Sequence, residues 1–288
     1  MARRQRRPLS VVRGIVGLES VVIVVVCGAL AVPAFAFASR STTTVVVSPM
    51  RHGSATATCP IGEHVSFGGF IDEFKPPPMT SGHAAVFPTG MHRTAPDRWT
   101  VTGQSEAIGT GSHLSAVGYC DRGSVSTSAS STVSLPGSRA LTAIATCPAG
   151  TVVVGGGYSS GSSSTHVEAV GQLLASSSTQ WEVSMLNLVN APTTITAIAY
   201  CSAGVAPAAY RTTLTLAADK GGTARVSCPS GTSLVFGGVD TSEPTGPSSR
   251  SALVFPFSLT ASSPTQWVVT GYNDGARAGS LDAVAYCR

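Results

Sequence analysis

One phrase of cysteine, glycine, tryptophan and tyrosine occurs three times in the chain, and this repetition constrains its folding more than any other feature. Each copy opens with Cys-Pro-x-Gly, at Cys59 to Gly62, Cys147 to Gly150 and Cys228 to Gly231. A glycine pair follows nine residues after the cysteine: Gly68-Gly69, Gly156-Gly157 and Gly237-Gly238. Next comes one tryptophan, Trp99, Trp181 or Trp267, with a valine two residues on. Each copy closes on Tyr-Cys, at Cys120, Cys201 and Cys287, 21, 20 and 20 residues after its tryptophan. Four features in one order, three times over, define three modules of one fold.

The repetition also settles the covalent framework. Apart from Cys27 there are six cysteines, and an even number in an exported chain reads as disulfides. Each module has one opening and one closing cysteine, so the expected bridges are Cys59–Cys120, Cys147–Cys201 and Cys228–Cys287. In the chain-entropy model, closing a loop of this length stabilises by about 4 kcal/mol.

The segments between these marks read as strands. Ala55 to Cys59 and its two counterparts alternate small or apolar with polar residues before Pro-x-Gly forces a turn. The β-branched and aromatic run after it, Thr151 to Val154 or Ser233 to Phe236, meets the glycine pair, where a bulge or close backbone approach is expected. Ala84 to Phe87 and Ala252 to Phe257 begin a third strand, and the Trp and Tyr-Cys segments complete the set. No sustained 3.6-residue period with caps occurs beyond the N-terminus. The expected class is all-β, in three disulfide-closed repeats: residues 54–121, 140–202 and 224–288. Residues 39–53 read as a surface tether, and 122–139 and 203–223 as connectors, with 211–216 (RTTLTL) alternating well enough for an extra strand. The three tryptophans are expected in the core, and the six paired glycines at turns and bulges.

The N-terminus carries five arginines before residue 14, then an apolar run from Val21 to Pro33 leading into Ala36-Phe37-Ala38, an A-x-A pattern. Residues 1–38 therefore read as a signal peptide cleaved after Ala38, or as a retained helical anchor whose residues 21–38 are the chain's one contact with a membrane. Either way the positive-inside rule places the rest outside the cytoplasm, secreted or at the cell surface. Charge excludes one function class. Charged residues are 11% of the chain, and five of its 18 basic and one of its 14 acidic residues lie before residue 39, leaving thirteen of each. A neutral body has no electrostatic footprint for phosphates, so nucleic acid is not an expected partner.

The module resembles repeats in uncharacterised secreted proteins of actinobacteria. More distantly, three cysteine-closed β-repeats with C-P-x-G and following glycines resemble the vitelline membrane outer layer protein family. That resemblance covers residues 54 to 288; the family's closing phrase is more polar. It implies a three-sided β-prism with internal pseudo-threefold symmetry and an extracellular structural or glycan-contacting role. It carries over no catalytic residue.

Residues of chemical interest concentrate in the first repeat. His52, His64, His83, His92 and His113 lie in or before it, with Glu63, Asp72 and Glu73 nearby, whereas His166 stands alone. No two histidines show metal-ligand spacing, so they read as solvated loop residues and no metal or other cofactor is expected. Glu168 and Glu182 form a carboxylate pair only in sequence. The glycine pairs have no Lys-Ser/Thr or following helix to make a phosphate loop, and the Pro-rich insert 74–83 (FKPPPMTSGH) reads as loop variation. The functional expectation is a non-enzymatic protein of the cell envelope or exterior, structural or glycan-binding, with envelope polysaccharide or protein as partner. The alternative is a secreted hydrolase with its site in repeat 1.

Overall fold

The computed structural model describes residues 37, 39–72, 86–105, 111–161, 167–168, 171–187, 190–241 and 253–288, and the statements below concern these. The expected signal or anchor, residues 1–38, lies outside them apart from Phe37. They form strands and turns with no helix. The first repeat supplies β1 (Ser39–Val47), β2 (His52–Thr58), β3 (His64–Asp72), β4 (Val86–Ala95), β5 (Arg98–Ser105) and β6 (Ser112–Asp121). The second supplies β7 (Thr127–Leu135), β8 (Ala140–Thr146), β9 (Val152–Ser160), the short β10 (Val167–Glu168), β11 (Gln172–Ser177), β12 (Gln180–Asn187) and β13 (Thr193–Ser202). The third supplies β14 (Ala208–Leu216), β15 (Lys220–Ser227), β16 (Leu234–Thr241), β17 (Val254–Ser263), β18 (Gln266–Asn273) and β19 (Gly279–Cys287).

Residues 39–53 and 122–139 differ from the expectation of a tether and a connector, while in 203–223 the extra strand expected at 211–216 is present and longer. Each contains a nine-residue strand, β1, β7 or β14, that pairs along its whole length with the closing strand of its repeat. The repeat is therefore a unit of six strands, with the two-residue β10 added in the second, that starts earlier than its cysteine. These strands are edge strands, mostly exposed and rich in Ser and Thr, so they lack the bulky alternation that marks a half-buried strand. Each ends on one buried aliphatic residue, Val47, Leu135 or Leu216, twelve residues before the opening cysteine. Three residues later the corner turn passes through a positive φ, at Met50, Ser138 and Asp219.

No sheet belongs to one repeat. The sheet orders are β1-β6-β3-β17-β18-β15, β2-β5-β4-β9-β13-β7, and β10-β12-β11-β16-β19-β14 with β8 also on β12. The first and third repeats thus give three strands to one sheet and three to the next, the second gives three and four, and the three sheets close in a ring. The joins between repeats are short, two residue pairs each: Ser258 and Leu259 on Ile71 and Phe70, Gly90 and Met91 on Ser159 and Tyr158, Gln172 and Leu173 on Asp240 and Val239. The third strands of the repeats, β3, β9 and β16, touch one another at the centre.

That central position explains both glycines. A Cβ on Gly68, Gly156 or Gly237 would land in the indole of Trp99, Trp181 or Trp267 of the same repeat. A Cβ on Gly69, Gly157 or Gly238 would meet the backbone of the adjoining repeat, at Leu259, Met91 or Leu173. Each central strand is thus covered closely on both faces, and only glycine leaves room. The carbonyl of the second glycine accepts the indole N–H, at 3.1, 3.1 and 3.0 Å. The strands run through the glycine pair rather than stopping there, and the expected bulge falls just before it in each repeat. All three tryptophans are fully buried.

The disulfides Cys59–Cys120, Cys147–Cys201 and Cys228–Cys287 close each repeat, with Cα–Cα distances of 5.7 Å in all three. The tyrosine beside each closing cysteine fastens its repeat to the next. Tyr119, Tyr200 and Tyr286 hydroxyls accept the backbone N–H of Ala261, Arg93 and Ala175, at 2.5, 2.5 and 2.8 Å. Three intramolecular disulfides point to an oxidising, extracytoplasmic compartment.

Candidate functional site

Strands alternate in direction, so the ring has two unlike ends. The Cys-Pro-x-Gly turns, the disulfides and the start of β1 lie at one end. The corner turns, the chain ends leading into 73–85, 162–170 and 242–252, and the starts of β4 and β17 lie at the other. Variable segments carried on a rigid scaffold are where binding surfaces are usually built.

The second end is organised by a phrase that occurs twice, Val86-Phe87-Pro88 and Val254-Phe255-Pro256. Proline has no N–H for the ladder and is tolerated at a strand start beside a bulge, and a bulge follows both prolines. The bent strands bring Phe87 and Phe255 together edge-to-face, with centroids 5.5 Å apart. With Phe70, Pro88, Tyr158, Leu173 and Pro256 they line a depression contributed by all three repeats. Its cavity of about 10 Å³ has room for one water molecule. A depression of that size holds no more than a water molecule. The Tyr158 hydroxyl donates to the Pro88 carbonyl at 2.9 Å, and burial pushes its pKa well up, keeping it neutral. Asp72, buried at the end of β3, accepts the N–H of Val86 at 3.1 and 3.2 Å and fixes the first Val-Phe-Pro segment. Sequence reading missed this cluster, although the repeated Val-Phe-Pro was a usable signal.

Among the described residues, those singled out for chemistry do not gather. His52 and His113 are exposed on different strands, and His83, His166 and Glu73 lie outside the described residues. His64 is buried and sits 2.9 Å from Asp121, whose other oxygen accepts Ser66 Oγ at 2.6 Å. The carboxylate stands between serine and imidazole, whereas in a Ser-His-Asp triad the imidazole contacts the serine. His92 is half-buried, its pKa lowered by burial, and its Nδ1 has no hydrogen-bond partner among the described residues. Glu63 accepts a 2.6 Å hydrogen bond from Ser39 Oγ. Glu168 lies opposite Leu186, four residues along β12 from Glu182, roughly 13 Å of strand. Among the described residues no three His, Cys, Asp or Glu side chains come together as a metal site.

A charged cluster unexpected from sequence lies on the third sheet. Asp240 and Asp282 face each other across β16 and β19, and Arg211 Nη1 bonds both carboxylates at 2.7 Å. Burial works against the charge of Arg211, and the two carboxylates outweigh it, raising its pKa. The arginine neutralises a cross-strand acid pair that would otherwise repel.

No protein-family model matches this chain, and no curated protein matches it significantly.

Proposed function

We propose that the protein works outside the cytoplasm as a non-catalytic binding or structural protein of the cell envelope, contacting polysaccharide through its aromatic loop end. The observation that carries this reading is the Phe87–Phe255 pair, set among prolines where all three repeats meet. Sugar rings present C–H faces that pack on aromatic rings, and Phe87 and Phe257 are partly exposed there. The chain enters the body at Phe37 and Ser39, at the opposite end, so an envelope-anchored or freely secreted form leaves this face open. The closed ring of three sheets supports the likeness to the three-sided prism of the vitelline membrane outer layer family, and with it a structural or glycan-contacting role.

The test is retention of the exported protein on glycan arrays and insoluble cell-wall material, beside a screen of ester and glycoside hydrolysis. Retention without turnover is expected, and Phe87→Ser and Phe257→Ser should each weaken it at least tenfold while the protein stays folded. Turnover that disappears on changing His64 or His92 would replace this reading with the hydrolase one.

A further inference from the structure

The apolar N-terminal run ends in three A-x-A patterns, Ala29-Leu30-Ala31, Ala34-Phe35-Ala36 and Ala36-Phe37-Ala38, the last two sharing Ala36. Sequence alone prefers the last, which removes Phe37. The fold uses Phe37. Its ring lies 4.9 Å from Tyr119 and 5.9 Å from Phe67, the latter edge-on, and packs against the main core. Tyr119 and Phe67 are themselves stacked at 4.5 Å and fully buried. Tyr119 also makes the hydrogen bond that joins the first repeat to the third, so the ring of Phe37 lies against a join between repeats.

Two residues later the chain is held again. Ser39 pairs with Cys120 at the start of β1, and its hydroxyl donates to the nearly buried Glu63 carboxylate. Phe37 and Ser39 are thus both tied into the fold of the first repeat. The positions corresponding to Phe37 in the other repeats, two residues before β7 and β14, are Val125 and Ala206, and Val125 is 45% exposed. An aromatic plug at this position belongs to the first repeat.

We propose that export processing cuts between Ala36 and Phe37, so that Phe37 is the first residue of the mature protein and seals the Phe67–Tyr119 pair. The peptidase reads small residues one and three positions before the cut, and Ala34 and Ala36 supply them. Pro33 falls just before that triplet in the sequence, and proline is a residue that a helix does not continue through. Cutting after Ala31 would fall inside the apolar run, and cutting after Ala38 would discard a ring that the core holds.

This inference rests on the proposed export of the chain, and the experiment separates the two. The full chain is expressed in a secreting host, and protein outside the cytoplasm is examined by intact mass and N-terminal sequencing. A mature chain starting at Phe37 is expected. Exported protein starting at Val32, Ser39 or Met1 overturns the proposed cut, whereas protein confined to the cytoplasm with free thiols overturns the export reading itself. A second measurement tests the plug directly: Phe37→Ser should lower the Tm of the exported protein by roughly 3 to 6 °C, and Phe37→Tyr should retain most of it. An unchanged Tm in Phe37→Ser would mean that the ring does no structural work, and would overturn the proposal.

Discussion

The guanidinium of Arg93 lies 4.5 Å above the ring of Tyr200, at the position where the other two joins between repeats have Ala175 and Ala261. The exchange is matched from the other side. Phe67 and Phe236 stack on Tyr119 and Tyr286 at 4.5 and 4.1 Å, but the corresponding residue beside Tyr200 is Gly155. Tyr200 thus has an arginine of the adjoining repeat on its ring, where Tyr119 and Tyr286 have a phenylalanine of their own repeat. Arg93 also donates to the Val65 carbonyl at 3.4 Å and to the Ser126 carbonyl and hydroxyl at 2.5 and 3.0 Å.

Arg93→Ala should therefore destabilise more than its half-exposed position suggests, by about 2 to 3 kcal/mol, since it removes a partly desolvated cation–π contact and strands two carbonyls. Chemical denaturation of the exported protein measures this. Arg93→Met keeps the volume and loses the charge, and a loss there as large as in Arg93→Ala would assign the effect to hydrogen bonding and charge rather than filling.

The Gly237–Trp267 contact predicts strong non-additivity. Gly237→Ala places a methyl where the indole sits and should cost about 3 kcal/mol; Trp267→Ala should cost about 3 to 5 kcal/mol. The double variant has space for the new methyl, so its loss should fall short of the sum by 1 kcal/mol or more. Additive losses in a double-mutant cycle would show that the glycine is needed for some other reason.

The join tyrosines predict an alkaline weakening. Burial is the main cause that pushes Tyr119 and Tyr200 up to about 12, and it raises Tyr286 and Tyr158 too, with backbone hydrogen bonds and nearby arginines pulling Tyr119, Tyr200 and Tyr286 partly back. The folded state then holds protons that the unfolded state releases near pH 10, so stability is complete below pH 10 and falls as pH rises from 10 towards 12. The slope is about 1.4 kcal/mol per pH unit for each tyrosine still protonated in the fold. Phenolate absorbance at pH 11 should show most tyrosines un-ionised until the protein unfolds; full ionisation of a still-folded chain would contradict the buried joins.

Much of this architecture is legible along the chain because it repeats locally. Constant spacing marks the modules, the cysteine pairs follow from one opening and one closing member in each, and alternation marks the strands around the tryptophans. The edge strands β1 and β7 escape, and β14 shows only in its 211–216 stretch, because solvent on their outer face imposes little apolar alternation, although Val47, Leu135 and Leu216 keep a fixed distance from the cysteines. What only the tertiary structure decides lies between repeats. Each join is two backbone pairs long, and backbone hydrogen bonds carry no side-chain identity, so nothing in the sequence says that Gly69 must face Leu259 or Gly238 face Leu173. The loop-end depression is assembled the same way, from Phe70, Phe87, Tyr158, Leu173 and Phe255, residues scattered over three repeats that become neighbours only when the ring closes.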